Sequence, residues 1–178
     1  MHTPVLIGHC VYRAHQFLDG FRTSIASRDL ERIASLLSEN ETQIFFSMQP
    51  RDRRHGVETM RHVDRLASEH GMVATDELLI AALLHDAGKG VIRIEDRVIY
   101  VLLNNLAPDL LNRFAQAEGV RWRSALWRLC HHAELAASQF EQIGLSRRVI
   151  ELTAAHHQGE TTDGDFELAW LIEADATL

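Results

Sequence analysis

Apolar residues return every three or four positions along almost the whole chain, the period of one face of an α-helix, and hardly anywhere alternate as a half-buried strand would. The pattern predicts a helix from Val5 to Phe21, a second from Arg28 to Leu37 with Ser27 as its cap, and a short third from Glu41 to Met48. Pro50 then opens a long helix that closes at Gly71, a residue suited to the position just past a helix end. Thr75, Asp76 and Glu77 supply a cap and an acidic first turn for a helix that carries the apolar run Leu78 to Leu84 as far as Asp86. Two helices broken near Pro108 account for "VIRIEDRVIYVLLNNLAPDLLNRFAQAEG", although its β-branched start also suits a short strand. "VRWRSALWRLCHHAELAASQFEQIG" forms another helix, stopped by Gly144. Ser146 caps "RRVIELTAAHH", and Asp163 or Asp165 caps a last helix through Asp175. The expected class is all-α, with no repeat, low-complexity tract or linker.

Composition narrows this picture. A chain of 178 residues, 46% hydrophobic and 24% charged, is long enough for one compact domain with a real core. A net charge of -7 and a pI near 5.8 argue against nucleic-acid or anionic-membrane binding, because most of this surface repels a phosphate backbone. Small anions held at a local cationic or metal site remain compatible. Cys10 and Cys130 form neither a metal-ligand spacing nor a disulfide framework, which suits a reducing compartment. No apolar stretch reaches the length of a spanning helix, and "MHTPVLIGHC" lacks the charged start and cleavage site of a signal peptide, so a cytoplasmic location is the expectation.

The candidate chemistry begins at "AALLHDAGKG". An imidazole and a carboxylate, His85 and Asp86, stand side by side at the end of a buried helix, where both cost desolvation unless something compensates them. A metal ion is one such partner. The chain holds eleven histidines, and several stand beside a carboxylate or in tandem, as His131 with His132 and His156 with His157. Imidazole and carboxylate together suit manganese, iron, zinc or nickel better than magnesium or calcium, which prefer oxygen shells. Neighbours on a helix diverge by about 100°, so an adjacent pair can serve two ions, and a two-metal site is the expectation.

The order of these residues resembles the HD-domain phosphohydrolase superfamily over most of the stretch from Arg51 to Asp175. "RRHGVETMRHV" presents an upstream His55, "LLHDAGKG" the adjacent His85 and Asp86, and "LIEADATL" the closing Asp175. "HAELAA" and "AAHHQG" are similar to the added histidine turn and tandem pair of the binuclear, HDIG-like branch, and supply His132, His156 and His157. The resemblance implies a helical bundle with additional N-terminal helices. It divides the single domain 1–178 into an N-terminal extension, 1–50, and a core, 51–178, with an insert around 91–120. It also implies two divalent ions, manganese or iron before zinc, nickel or cobalt, on His55, His85, Asp86, His132, His156, His157 and Asp175, with Asp86 bridging. The tandem pair is followed by Gln158 and Gly159, without the Gly-Tyr-Pro signature of a cyclic di-GMP branch, so that substrate is not implied.

Lysine occurs once in the chain, at Lys89, against 17 arginines. A compact ammonium that meets phosphate as a point charge is one reason for it, and a helix-end cation favoured by the dipole is the plainer one. His62, seven residues after His55 on one helix face, competes with it as the upstream ligand. His131 reads as exposed or as a hydrogen-bonding neighbour of the site, and His2, His9, His15 and His70 as surface or capping residues. Arg121 and Arg128, in "RWRSALWR", either reach a bound phosphate or form a solvated face over partly buried Trp122 and Trp127. The expected activity is hydrolysis of a phosphomonoester or phosphodiester in a small, nucleotide-like molecule by a metal-activated hydroxide, with Asp86 and Lys89 as catalytic residues and Lys89 on the substrate. The competing readings are a di-iron oxygenase of the inositol-oxygenase type and a non-catalytic signalling module of the same fold. Neither the native metal nor the oligomeric state is written in the sequence.

Overall fold

A computed structural model describes residues 25–157 and 164–177, and these residues form nine α-helices and one 3-10 turn, with no strand among them. In chain order the helices are α1 (Ser27–Leu36), α2 (Glu39–Ser47), α3 (Pro50–Glu69), α4 (Asp76–Leu84), α5 (Ile94–Leu106), α6 (Pro108–Phe114), α7 (Arg121–Gln142), α8 (Arg147–Ala155) and α9 (Phe166–Ala176). The 3-10 turn, Ala87–Lys89, follows α4. The expected helix over Val5–Phe21 and the alternative cap Asp163 lie outside the described residues.

Local chemistry explains the boundaries. Ser38 and Glu41 form a reciprocal capping box that starts α2 two residues before the expected Glu41. Pro50 occupies the first turn of α3, where its missing N–H costs nothing, and Gly71, at φ 69°, closes that helix. Thr75 caps α4 through the Leu78 N–H at 3.2 Å, and Asp165 caps α9 through the Leu168 N–H at 3.1 Å. Two expected caps differ. Ser27 lies inside α1, whose N-cap is Ala26, and Ser146 stands at the N-cap of α8 without a side-chain hydrogen bond. The segment that suited a strand is helical as α5, because its inward residues Asp96, Arg97 and Tyr100 recur at helical spacing.

Helix α4 is apolar all round and therefore central, with every residue from Leu78 to Leu84 buried. It packs against α3, α8 and α9, while α7 packs on α8 and on the 3-10 turn. Phe45, Met60, Val63, Leu78, Leu83, Phe140, Leu152 and Leu171 fill one continuous core. Ile33, Ile44 and Met48 belong to that same core, so α1 and α2 are part of the body of the protein. At positions 56 and 88 any side chain would force neighbouring backbone to shift. A Cβ on Gly56 would overlap the Leu83 carbonyl, and one on Gly88 would overlap the His132 carbonyl and the Ala136 N–H. These two contacts draw α3 onto α4 and the 3-10 turn onto α7.

Helices α5 and α6 attach differently. A small cluster of Ile92, Ala125 and Leu129, with Tyr100 against it, joins α5 to α7. Polar ties do the rest: Arg97 donates to Asp52 at 2.7 Å and Gln49 at 3.1 Å, Gln49 Oε1 accepts from the Ile92 N–H at 3.0 Å, and Arg121 pairs with buried Asp96.

Candidate metal centre

Helix ends deliver the site. His85 is the C-cap of α4 and Asp86 follows it into the 3-10 turn, so the helix stops two residues short of the expected Asp86. His156 is the C-cap of α8, with His157 next to it. His132 lies mid-way along α7, but the residue before it, His131, has non-helical angles (φ -119°, ψ 16°) and kinks the helix there. His55 comes from α3 beside Gly56, and Asp175 from the last turn of α9.

All seven of the expected ligand side chains converge. His55 Nε2 lies 2.8 Å from Asp175 Oδ1, and His85 Nε2 lies 3.3 Å from the same oxygen and 3.4 Å from Asp86 Oδ1. His132 Nε2 is 3.4 Å from Asp86 Oδ1 and 2.9 Å from His157 Nε2. Three overlapping triads each gather their donor atoms within 4.8 Å: His132, His156 and His157; His55, His85 and Asp86; His85, His156 and Asp175. Donors placed about 2.0–2.2 Å from one cation at tetrahedral or octahedral angles stand about 3 to 3.5 Å apart, and the spacings within this cluster fall close to that range.

The ring nitrogens are oriented for such a cation. Nδ1 of His85 faces the Ala82 carbonyl at 3.0 Å, that of His132 the Leu129 carbonyl at 2.9 Å, and that of His156 the Thr153 carbonyl at 2.6 Å. A carbonyl only accepts, so each Nδ1 carries the hydrogen and donates, which turns a lone pair on Nε2 toward the centre of the cluster. His85 Nε2, His156 Nε2 and Asp86 Oδ1 are buried there without a hydrogen-bond partner. Such orphaned atoms are costly in a native interior, and divalent cations held by the triads to which they belong would satisfy them. The residues present therefore fit the group.

Charge balance points the same way. Burial opposes a proton on His85, yet the carboxylates of Asp86 and Asp175 outweigh it and push the group up to about 9. Burial also opposes ionisation of the two carboxyls, but Lys89 and the histidines hold Asp86 well below the usual range, and His55 and His85 do so for Asp175. His132 and His156 are depressed to about 3 and about 2, chiefly by burial and then by Lys89 and by His85. The cluster sets two carboxylates against each other in a buried site, so that His85 takes up a proton where no cation is bound and a divalent ion would replace that proton. Lys89 supplies further positive charge, donating from Nζ to Asp86 Oδ2 at 2.5 Å.

The competing candidates separate. His62 Nδ1 faces the Thr177 hydroxyl at 2.9 Å, outside all three triads, so His55 and not His62 is the upstream histidine of the cluster. His131 stacks on Trp127 with centroids 4.7 Å apart, and its Nδ1 bonds the Trp127 carbonyl, away from the centre. Arg121 is engaged with Asp96, while Arg128 is exposed and lays its guanidinium against Gly90. Gly56 and Gly88 escaped the sequence reading as site residues, since a glycine beside a ligand looks the same whether it ends a helix or admits a neighbouring backbone.

A family model described as HD domain matches residues 53–176. The chain belongs to the HD domain family. Curated proteins and solved structures give no match. HD domains bind divalent metals and are mostly metal-dependent hydrolases, in keeping with the histidine and aspartate clusters described above. No helix among the described residues is long and apolar enough to cross a membrane.

Proposed function

We propose that this HD-domain protein is a metal-dependent phosphohydrolase that cleaves a phosphomonoester or phosphodiester bond in a nucleotide-like small molecule. The observation that carries the reading is the convergence of His55, His85, Asp86, His132, His156, His157 and Asp175, with three Nε2 lone pairs preset by backbone carbonyls. Two of the triads, His132–His156–His157 and His55–His85–Asp86, share no residue, so the donors suffice for two ions of manganese or iron. Bound ions would supply Lewis acidity toward a phosphoryl oxygen and bring the pKa of a water toward neutrality.

The chain's own residues do the remainder. Asp86 Oδ1 stands 3.4 Å from both His85 and His132, between the two triads, which suits a bridging role. Its other oxygen is held by Lys89, which fixes the carboxylate plane and leaves further ammonium donors for an incoming phosphate. The wall of buried aliphatic residues along α4 keeps water from the back of the cluster, so its charges act in a low dielectric.

Metal analysis of protein purified without oxygen, followed by assays of phosphate release and oxygen uptake, tests this reading. The expected result is close to two transition-metal ions per chain and metal-dependent phosphate release from nucleotides or phosphate esters. Oxygen consumption with a mixed-valent iron signal and no phosphate release would replace the proposal with an oxygenase.

A further inference from the structure

The outer face of α5 has no partner within the chain among the described residues. Ile94, Val98, Leu102 and Leu106 follow one another at four-residue steps along it, and all four are exposed, Leu102 by 50% and Leu106 by 71%. Val91 before the helix, at 82%, and Leu110 in α6 extend the stripe at its two ends. These six side chains expose roughly 500 Å² of apolar surface, at the upper end of what a monomer shows and within reach of the ~800 Å² per partner of a standard interface. Tyr100, Asp96 and Arg97 are spent on the inward face, so the stripe is not an alternative core face of the same helix.

From this face we infer that the protein forms a two-fold symmetric dimer through α5. The stripe is self-complementary about its middle, near Tyr100: an antiparallel copy brings Val98 against the partner's Leu102, and Ile94 against the partner's Leu106. Such reciprocity is what a two-fold interface requires. Its ends are complementary in charge as well. Exposed Arg93, 3.6 Å from exposed Glu95, stands before the helix and exposed Asp109 beyond it, and the antiparallel copy brings each arginine toward the aspartate of the other copy. Between Val98 and Leu106 no charged residue occurs, and the amide of Asn105 is turned back onto the Val101 carbonyl at 2.7 Å. That rules against a charged macromolecular partner. A membrane-lying helix carries a face of free Lys and Arg beside its apolar stripe, whereas here Arg97 is tied inward to Asp52 and exposed Glu95 stands beside the stripe.

Sedimentation velocity on the full chain tests the inference, using Leu102→Glu and Val98→Lys. The parent protein is expected to sediment at twice the 20.2 kDa chain at micromolar concentration. Each variant is expected to be monomeric with an unchanged helical circular-dichroism spectrum, because a charge at either position faces an apolar residue across the two-fold. Mixing the two variants is expected to restore a dimer, since the lysine of one then meets the glutamate of the other. That rescue also answers the objection that a variant misfolded. A monomeric parent at high micromolar concentration overturns the inference. If its α5 amides are then protected from hydrogen exchange, another part of the chain covers the stripe; if the protein instead pellets with neutral phosphatidylcholine vesicles, the face binds lipid. Dimers that persist in both variants also overturn it, since the contact must then lie elsewhere.

Discussion

Replacing Gly88 by Ala places one methyl group where the 3-10 turn crosses α7. The added carbon would lie about 1 Å or more inside ordinary contact with the His132 carbonyl and would crowd the Ala136 N–H, both of them backbone atoms that no rotamer change can move. The turn must therefore lift off the helix. Overpacking of this kind costs about 1–3 kcal/mol, which for a chain of this size lowers Tm by about 2–12 °C. The larger effect falls on the site. Asp86 precedes Gly88 by two residues and faces His132 at 3.4 Å, so the displacement that relieves the clash opens that spacing by a comparable amount. A misplacement of about 1 Å in a catalytic constellation can cost roughly a hundredfold in rate. Thermal unfolding, metal content by mass spectrometry and kcat/KM on whichever phosphate ester is turned over would be measured on the same preparation. A Gly88→Ala protein with parental Tm, metal content and activity would refute the claim that this close approach sets the cluster.

Other outcomes follow from the same geometry. His55→Ala is expected to lose metal while His62→Ala keeps it, read as ions per chain after gel filtration; the reverse would move the upstream ligand to His62. Lys89→Ala is expected to lower kcat/KM by roughly ten- to a thousandfold, with Lys89→Arg recovering only part, since the ammonium both holds Asp86 and keeps donors for phosphate. Parental turnover in Lys89→Ala would reduce this lysine to a helix-end cation. Asp165→Asn keeps a capping oxygen for α9 but discharges the pair with Arg148, whose guanidinium is the main cause of the low Asp165 pKa. The stabilisation it removes, about 1 kcal/mol, is present in full above the unfolded carboxyl value of about 3.9 and fades as pH falls through the lower folded value. Parent and variant should therefore differ in urea midpoint at pH 7, and the difference should shrink as pH falls below the unfolded carboxyl value.

Helix periodicity made most of the fold legible, and particular residues show where it stopped. Pro50, Gly71, Thr75 and Asp165 were readable as boundaries because each acts through its own backbone or its nearest neighbours. The break at His131 was not, because no proline or glycine marks it and α7 reads as a continuous pattern across it. The start of α2 at Glu39 was hidden by a polar first turn, and only the Ser38–Glu41 box, a pair of reciprocal contacts, reveals it. The seven expected ligands came together because their motifs fix the local register of each donor. What spacing could not reveal is the set of distances between motifs, which rests on Gly56 against Leu83 and Gly88 against His132, contacts between helices far apart in the chain.

One device, used three times, connects the break in α7 to the chemistry. A helix leaves its last carbonyls unsatisfied, and a histidine placed there can donate Nδ1–H to the carbonyl three residues back. His85 and His156 do this at the true ends of α4 and α8. His132 does it to Leu129 in the interior of α7, directly after the non-helical angles at His131. Outside the cluster, His131 bonds the Trp127 carbonyl four residues back, and His70, the C-cap of α3, bonds that of Leu66 in the same way, so each leaves its Nδ1 on a different carbonyl from the three site histidines. The kink thus makes an interior position behave as a helix terminus. Burial with Nδ1 committed in this way leaves Nε2 as the ring nitrogen turned to the cluster, and cations held by the overlapping triads would take up these lone pairs.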